Sequence, residues 1–130
     1  MALLHAESCT LPPPWSQAEI EATLASPFTF VLTRPQAFLL GQVVAGEATL
    51  LTIAVAPTAR RTGVGRDLVA EFLRQSQDRQ ATSAFLEVAE TNHAARALYT
   101  AAGFAPTGRR KGYYRSAGQS VDAILMGRRI

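Results

Sequence analysis

One stretch limits what this chain can fold into. Thr52-Ile53-Ala54-Val55-Ala56-Pro57 is an apolar run stopped by proline, Thr58 to Gly65 is a basic loop carrying Arg60, Arg61, Gly63 and Gly65, and Arg66-Asp67 enters a run of helical period. A strand that feeds a helix through such a loop has a defined use. Lacking Cβ atoms, Gly63 and Gly65 permit close approach of a ligand and permit positive φ. The N–H groups of the loop and the positive end of the helix dipole behind it attract an anion. Arg60 and Arg61 add permanently charged, forked donors that suit phosphate. Together these features point to the pyrophosphate of a ligand with an adenosine-diphosphate end. Two other phosphate-binding patterns are excluded. Leu68 stands where a dinucleotide fingerprint needs its third glycine, and a P-loop needs Gly-Lys-Ser/Thr, whereas the only lysine, Lys111, lies far from the loop.

The rest of the composition frames that loop. With 130 residues and 48% hydrophobic content, residues 1–130 are expected to form a single domain around one core. The charged fraction of 18% and a mean hydropathy of +0.06 argue against disorder. The net charge of +3 comes from arginine, which fits phosphate or carboxylate recognition and is also compatible with a nucleic-acid surface. Cys9 is alone, so no internal disulfide forms, and a reducing compartment fits. Met1 to Glu7 has no basic leader, and no apolar run reaches membrane-spanning length. The expectation is a soluble, cytoplasmic monomer that neither enters a membrane nor requires nucleic acid.

Taken in order, Ala2 to Cys9 reads as a short helix and Leu11-Pro12-Pro13-Pro14-Trp15 as an extended connector, because proline fixes φ and removes donors. Ser16-Gln17-Ala18-Glu19 is a capping box for a helix with Ile20 and Leu24 inward, ended at Ser26-Pro27. Phe28 to Thr33, Phe38 to Val44 and Thr49 to Val55 read as strands, joined through Arg34-Pro35 and the hairpin Ala45-Gly46-Glu47. Val64, Leu68, Val69, Phe72 and Leu73 form one helical stripe. Thr82 to Ala89 is a strand broken in character only by Glu87. Asn92 caps a helix that turns Ala94, Ala95, Leu98, Ala101 and Ala102 inward and closes at Gly103. A strand through Tyr113-Tyr114 and another from Ser120 to Arg128 follow. Strands alternating with helices and hairpins predict a mixed α+β fold, a central sheet with helices on both faces.

Two motifs carry a family resemblance. Arg60-x-x-Gly63-x-Gly65 after a strand resembles the R/Q-x-x-G-x-G/A loop of the GCN5-related N-acetyltransferases, GNAT for short. Asn92-x-x-Ala95-x-x-Leu98-Tyr99-x-x-x-Gly103-Phe104 is similar to that family's C-terminal half. With Glu47 to Val55 upstream, and Gly112-Tyr113-Tyr114 and Asp122 to Met126 downstream, the chain most resembles the RimI-type ribosomal-protein-alanine subfamily. The likeness is specific from Glu47 to Met126, and Pro14-Trp15-Ser16 echoes it further upstream. Members usually have a strand and a longer helix before that point. Fourteen residues cannot supply both, so the N-terminal strand is expected to be missing.

The resemblance implies the acyl-CoA N-acyltransferase fold and acetyl-CoA as co-substrate, with no metal. It implies that Arg60, Arg61, Thr62, Gly63, Val64, Gly65 and Arg66 grip the pyrophosphate and that Asn92 also binds the cofactor. The backbone of Ile53-Ala54-Val55 would pair with the pantetheine amides as an added strand. Glu87 would be the general base, directly or through water, and Tyr99 the general acid for the departing thiolate. Tyr113 and Tyr114 would shape the acceptor groove. The acceptor implied is the N-terminal α-amino group of a protein, a ribosomal small-subunit protein beginning with alanine.

Plainer readings stand beside these. Glu87 can be a surface residue on a wet strand face, Tyr99 core filler with its hydroxyl at the surface, and Asn92 no more than a helix cap. Glu90 reads as solvated, His5 and His93 as incidental, since no metal-ligand or nucleophile spacing surrounds them, and Cys9 as a buried or partly buried thiol. A small-molecule amine or a lysine side chain is the alternative acceptor. A basic RNA- or ribosome-binding module using Arg109, Arg110, Lys111, Arg115, Arg128 and Arg129 is the non-enzymatic alternative.

Overall fold

The computed structural model describes residues 16–60, 62–116 and 118–130. The readings of Ala2 to Cys9, of the proline connector and of a missing N-terminal strand lie outside these residues, as does Arg61. The elements in order are α1 (Gln17–Leu24), β1 (Thr29–Arg34), β2 (Ala37–Val44), β3 (Glu47–Val55), a 3-10 turn (Pro57–Ala59), α2 (Val64–Asp78), β4 (Ser83–Ala89), α3 (His93–Ala101), β5 (Ala105–Ser116) and β6 (Gln119–Arg129).

The capping box forms as its spacing requires. The Ser16 hydroxyl accepts from the Glu19 N–H at 3.1 Å, and the Ser16 N–H donates to Glu19 Oε1 at 3.0 Å. The strand expected from Phe28 begins one residue later, because Phe28 is half exposed and its N–H donates to Ser26 Oγ at 3.3 Å, while its carbonyl accepts from the Val43 N–H at 3.1 Å. Ala45 and Gly46 both have positive φ, 52° and 82°, which is the twist a two-residue hairpin needs.

The six strands form one sheet in the order β1-β2-β3-β4-β6-β5. All neighbours are antiparallel except β3 and β4, which run parallel. Helices cover both faces. On one, Ile20 of α1 packs with Phe38, Leu40 and Ala54, flanked by Leu24 and Leu51. On the other, Leu68, Val69 and Phe72 of α2 and Tyr99 of α3 pack with Phe30, Leu39, Leu50, Leu86, Val88, Ile124 and Met126.

A bulge in β3 places its residues on these faces. Leu40 pairs with Thr52 but Gly41 pairs with Leu50, so Leu51 is an extra residue. Before it, Ala48 and Leu50 face the α2 side. After it, Ile53 and Val55 do, while Leu51 and Ala54 face α1. An unbroken alternation would turn one half of the strand to the wrong core. Gly41 sits at the same level, and a Cβ there would lie 2.8 Å from Phe30 Cζ and 2.9 Å from Phe72 Cδ1. Glycine is what lets those two rings stack, with centroids 6.1 Å apart.

Helix α3 differs from its sequence reading in one respect. Ala95, Leu98 and Ala102 pack against the core as expected, but Ala94 and Ala101 are exposed, and Tyr99 is the buried residue at 4% exposure. Alanine carries too little apolar surface to orient a helix, and the tyrosine ring decides the face. Its edge-to-face contact with Phe104, 6.1 Å between centroids, anchors the helix end.

Candidate active site

Strands β3 and β4 pair only over Glu47↔Ser83, Ala48↔Ala84 and Thr49↔Phe85. Past that point they diverge, while β3 stays laddered to β2 as far as Val55↔Ala37 and β4 to β6 as far as Ala89↔Ala123. The parallel pair is therefore a wedge, and its opening is a cleft of about 1310 Å³. Two chemically distinct ends meet there. One is the glycine loop with the start of α2, and the other is β4 with the tyrosines of β5.

At the first end, Arg60, Gly63, Val64, Gly65 and Arg66 line the cleft. Gly63 is the N-cap of α2 with φ 85°, a left-handed conformation that disfavours any side chain, and nothing lies within 4 Å of where its Cβ would stand. Gly65 is otherwise. It lies in the first helical turn, and a Cβ there would meet Leu98 Cδ2 of α3 at 3.4 Å, an ordinary contact. The positive φ expected of both glycines is thus needed only at Gly63. Val64, Gly65 and Arg66 form the first turn of α2, whose N–H groups have no partner within the helix, and all three residues line the cleft. Asp67, the acid of that turn, is tied to Arg34 Nε at 2.8 Å, which offsets its charge near an anion site. Arg60 Nε reaches the Val55 carbonyl at 3.4 Å, joining loop and strand. Thr62 donates to the Ala59 carbonyl and stands outside the cleft lining.

Along the wall, Ile53 and Val55 line the cleft, whereas the Ala54 side chain is buried against α1 and only its backbone lies on the strand edge. Asn92 lines the cleft and caps α3, its Oδ1 accepting from the Ala95 N–H at 3.2 Å. The capping role is real, and the side-chain amide N–H groups remain as donors. Tyr99 and Leu98 both line the cleft.

At the second end, Glu87 is 32% exposed at its side chain and Oε1 lies 3.2 Å from Arg110 Nη2. The Arg110 guanidinium also sits over the Tyr113 ring at 5.3 Å, and Tyr113 meets Tyr114 edge-to-face at 5.1 Å. Burial pushes the Tyr114 phenol up to about 12, with the Glu87 charge adding to the rise. Tyr114 thus stays protonated at any physiological pH. The cleft brings Glu87, Tyr99, Tyr113 and Tyr114 together with the glycine loop.

Some readings need correction. Glu90 is not simply solvated: its Oε1 lies 3.0 Å from Arg109 Nη1. Three of the arginines proposed for an RNA surface are engaged within the protein. Arg109 pairs with Asp122 at 2.7 Å, Arg110 with Glu87, and Arg128 donates to the Ala102 and Arg129 carbonyls. Arg110, Leu98 and Asp122 were not singled out as site residues. Asp122 had the same signal as Glu87, an acid set in an apolar strand. Among the described residues, no group of three or more His, Cys, Asp or Glu could hold a metal ion, and no helix is long and apolar enough to cross a membrane.

The acetyltransferase (GNAT) family profile matches residues 2–104. The chain belongs to this family and is an acetyl-CoA-dependent N-acetyltransferase, with the mixed α+β fold that its relatives share. Within the family it is similar to the [ribosomal protein bS18]-alanine N-acetyltransferase of Escherichia coli strain K12, at 36% identity over 129 residues, 96% of this chain and 87% of that protein. It is also 36% identical over 124 residues to the N-alpha-acetyltransferase RimI of Mycobacterium tuberculosis, covering 88% of this chain and 75% of that one. The crystal structure of the ribosomal-protein-S18-alanine N-acetyltransferase from Escherichia coli superposes with a TM-score of 0.89 at 32% identity, over 99% of this chain and 84% of that one.

Proposed function

We propose that this protein moves acetyl from acetyl-CoA directly to the N-terminal α-amino group of a protein, and that the acceptor is the ribosomal small-subunit protein bS18 with alanine at its first position. The observation that carries this reading is the wedge between β3 and β4, which joins an anion-binding loop to a carboxylate and two tyrosines in one continuous cleft. The likeness to bS18-alanine acetyltransferases over nearly the whole chain supports the choice of acceptor.

The residues present fit acetyl-CoA. Gly63 leaves a cradle open where a Cβ would stand, at the N-terminus of α2. Arg60, Arg66 and, from the sequence, Arg61 would neutralise the pyrophosphate, while Thr62 would shape the loop that holds it. At Ile53, Ala54 and Val55 strand β3 is laddered to β2 on one side, and on its other side, where β4 has diverged, it would take the pantetheine amides as an added strand. Asn92 would add an amide donor. Bound there, acetyl-CoA would supply the thioester carbonyl that the acceptor amine attacks.

Glu87 then acts on the acceptor. An α-amine with pKa near ~8 is mostly ammonium at neutral pH, so one proton must leave the nitrogen before its lone pair can attack, and a second leaves as the amide forms. Glu87 accepts these protons in turn, directly or through water, which reaches a side chain this exposed: it returns the first to solvent and takes the second as the C–N bond forms. The C–S bond breaks, its electron pair goes to sulfur, and Tyr99 donates its phenolic proton there. Tyr113 and Tyr114 form the acceptor wall beside Glu87. Of the two protons that leave the nitrogen, one goes to solvent and the other, held by Glu87, is matched by the proton Tyr99 gives to sulfur; solvent resets both residues, and one proton is released for each acetyl transferred.

Mass spectrometry of a peptide panel with acetyl-CoA tests the reading. A peptide with a free N-terminal alanine should gain one acetyl group on its α-amine. The same peptide blocked at its N-terminus and carrying an internal lysine should gain none. Acetylation mainly at lysine, or only of small amines, would reject the acceptor.

A further inference from the structure

Strand β5 departs from regular pairing just where it enters the acceptor wall. Arg110 pairs with Ala123 and Tyr114 with Val121, so three residues, Lys111, Gly112 and Tyr113, stand opposite the single residue Asp122. Such a bulge leaves backbone groups without ladder partners and costs free energy unless something else satisfies them. Gly112 adds a second cost, with φ 59° in the left-handed region. Space is not the constraint, since a Cβ there would lie 3.6 Å from Ser120 Cβ.

Asp122 meets these demands with both carboxylate oxygens. Oδ1 accepts from the Gly112 N–H at 2.8 Å, and Oδ2 accepts from Arg109 Nη1 at 2.7 Å. The same Arg109 nitrogen lies 3.0 Å from Glu90 Oε1. The Glu90 N–H donates to the Asp122 carbonyl at 2.9 Å, and the Glu90 carbonyl accepts from Arg96 of α3 at 3.0 Å. One carboxylate thus joins the end of β4, the bulge of β5 and, through Glu90, the helix that carries Tyr99. These hydrogen bonds hold the Asp122 carboxyl below its ordinary value, the Gly112 N–H first and Arg109 second.

We propose that Asp122 is a positioning residue for the acceptor: it fixes the β5 bulge so that Arg110, Tyr113 and Tyr114 form a pre-set wall against Glu87. It does not itself reach the reacting atoms, since the cleft is lined by Tyr113, Tyr114 and Glu87 and not by Asp122. The proposal rests on the acceptor reading above, because the wall matters to catalysis only if the acceptor sits there. It separates acceptor binding from cofactor binding, as the hydrogen bonds and ion pairs of Asp122 run to Gly112, Arg109 and Glu90 and not to the described residues of the glycine loop.

Asp122→Ala removes both anchors, whereas Asp122→Asn keeps an oxygen for the Gly112 N–H and loses the charge toward Arg109. For a peptide with N-terminal alanine, Asp122→Ala should raise the acceptor KM about tenfold or more, the size of one lost hydrogen bond to a carboxylate. The kcat at saturating peptide and the Kd for acetyl-CoA should stay within about threefold. Asp122→Asn should recover most of the acceptor KM. A merely structural residue would instead lower activity and cofactor affinity together. A readout free of turnover accompanies this: NMR of ring-labelled tyrosine at pH 11, with Tyr114→Phe giving the assignment. Tyr114 should be protonated in the wild type and largely ionised in Asp122→Ala, because a relaxed bulge exposes its ring. Unchanged acceptor KM, or an unchanged Tyr114 signal, in folded Asp122→Ala overturns the proposal. Should that variant not fold, Gly112→Ala, strained at the same turn, carries the same two expectations and the same refutation. A wild type that acetylates no peptide α-amine rejects the acceptor reading, and the tyrosine signal still decides whether Asp122 sets the bulge.

Discussion

Changing Glu87 to glutamine removes the proposed proton acceptor and almost nothing else. Glutamine keeps the shape and can still accept from Arg110, so the contact now at 3.2 Å survives without its charge. Both partners are well exposed, and an exposed ion pair contributes about 0–1 kcal/mol, so thermal stability should fall by no more than that. Turnover behaves differently. With an amine pKa near ~8, about one acceptor in ten is neutral at pH 7, and the variant must draw on that fraction. This accounts for a loss of about tenfold. The remainder comes from removing the proton as the C–N bond forms, and general bases contribute about 10²–10⁴-fold in total. Initial rates of peptide acetylation at saturating acetyl-CoA should therefore fall by at least about 10² at pH 7. Between pH 7 and about 9.5 the deficit should shrink by roughly tenfold and then level off, because the free amine is by then neutral while the later proton transfer is still unassisted. A folded Glu87→Gln enzyme with wild-type turnover at pH 7 would make the carboxylate structural. A deficit that vanished at high pH would restrict Glu87 to deprotonating the free amine.

The other expectations concern neighbouring residues. Tyr99→Phe should leave the packing on Phe104 intact, with turnover down roughly 10- to 10³-fold and acetyl-CoA affinity little changed, since a thiolate can also leave unaided; a destabilised variant with full activity per folded molecule would make Tyr99 core filler. Gly63→Ala meets no neighbour and so tests conformation alone: the left-handed backbone should cost about 1–2 kcal/mol, read as a weaker acetyl-CoA Kd or a lower Tm. Gly65→Val should fold and still raise the acetyl-CoA Kd strongly in calorimetry, by crowding Leu98 and the phosphate side of the loop; an unchanged Kd would reject that part of the site. Gly41→Ala should destabilise by about 1–3 kcal/mol in denaturant unfolding, because Phe30 and the fully buried Phe72 must both give way; a neutral outcome would show that the rings can shift.

Much of this architecture was legible because its signals are local. The Ser16–Glu19 box, the Ala45-Gly46 turn, the stripe Leu68-Val69-Phe72 and the Asn92 cap each lie within a few residues of what they determine. The glycine loop belongs to the same class, since strand, loop and helix start are contiguous. What stayed hidden depends on remote strands meeting. The extra Leu51 in β3 shows itself only against β2, and the three residues opposite Asp122 only against β6. The divergence of β3 from β4 joins segments more than thirty residues apart, so no window of sequence contains it. Arg110 looked like one member of a basic run until the fold set it against Glu87. The burial of Tyr99 over Ala94 and Ala101 was missed because a stripe of alanines does not fix a helix's rotation as firmly as one aromatic ring.

The central claim is that acetyl-CoA lies in the wedge between β3 and β4, its phosphates on the start of α2 and its amides on the edge of β3. Amide hydrogen exchange with and without acetyl-CoA reads this directly, residue by residue. Binding should slow exchange at Ile53, Ala54 and Val55 and at Val64, Gly65 and Arg66, while β1 and the β1–β2 turn stay as they were. Protection that spared both the β3 edge and the first turn of α2, or that appeared on β1 instead, would contradict the account.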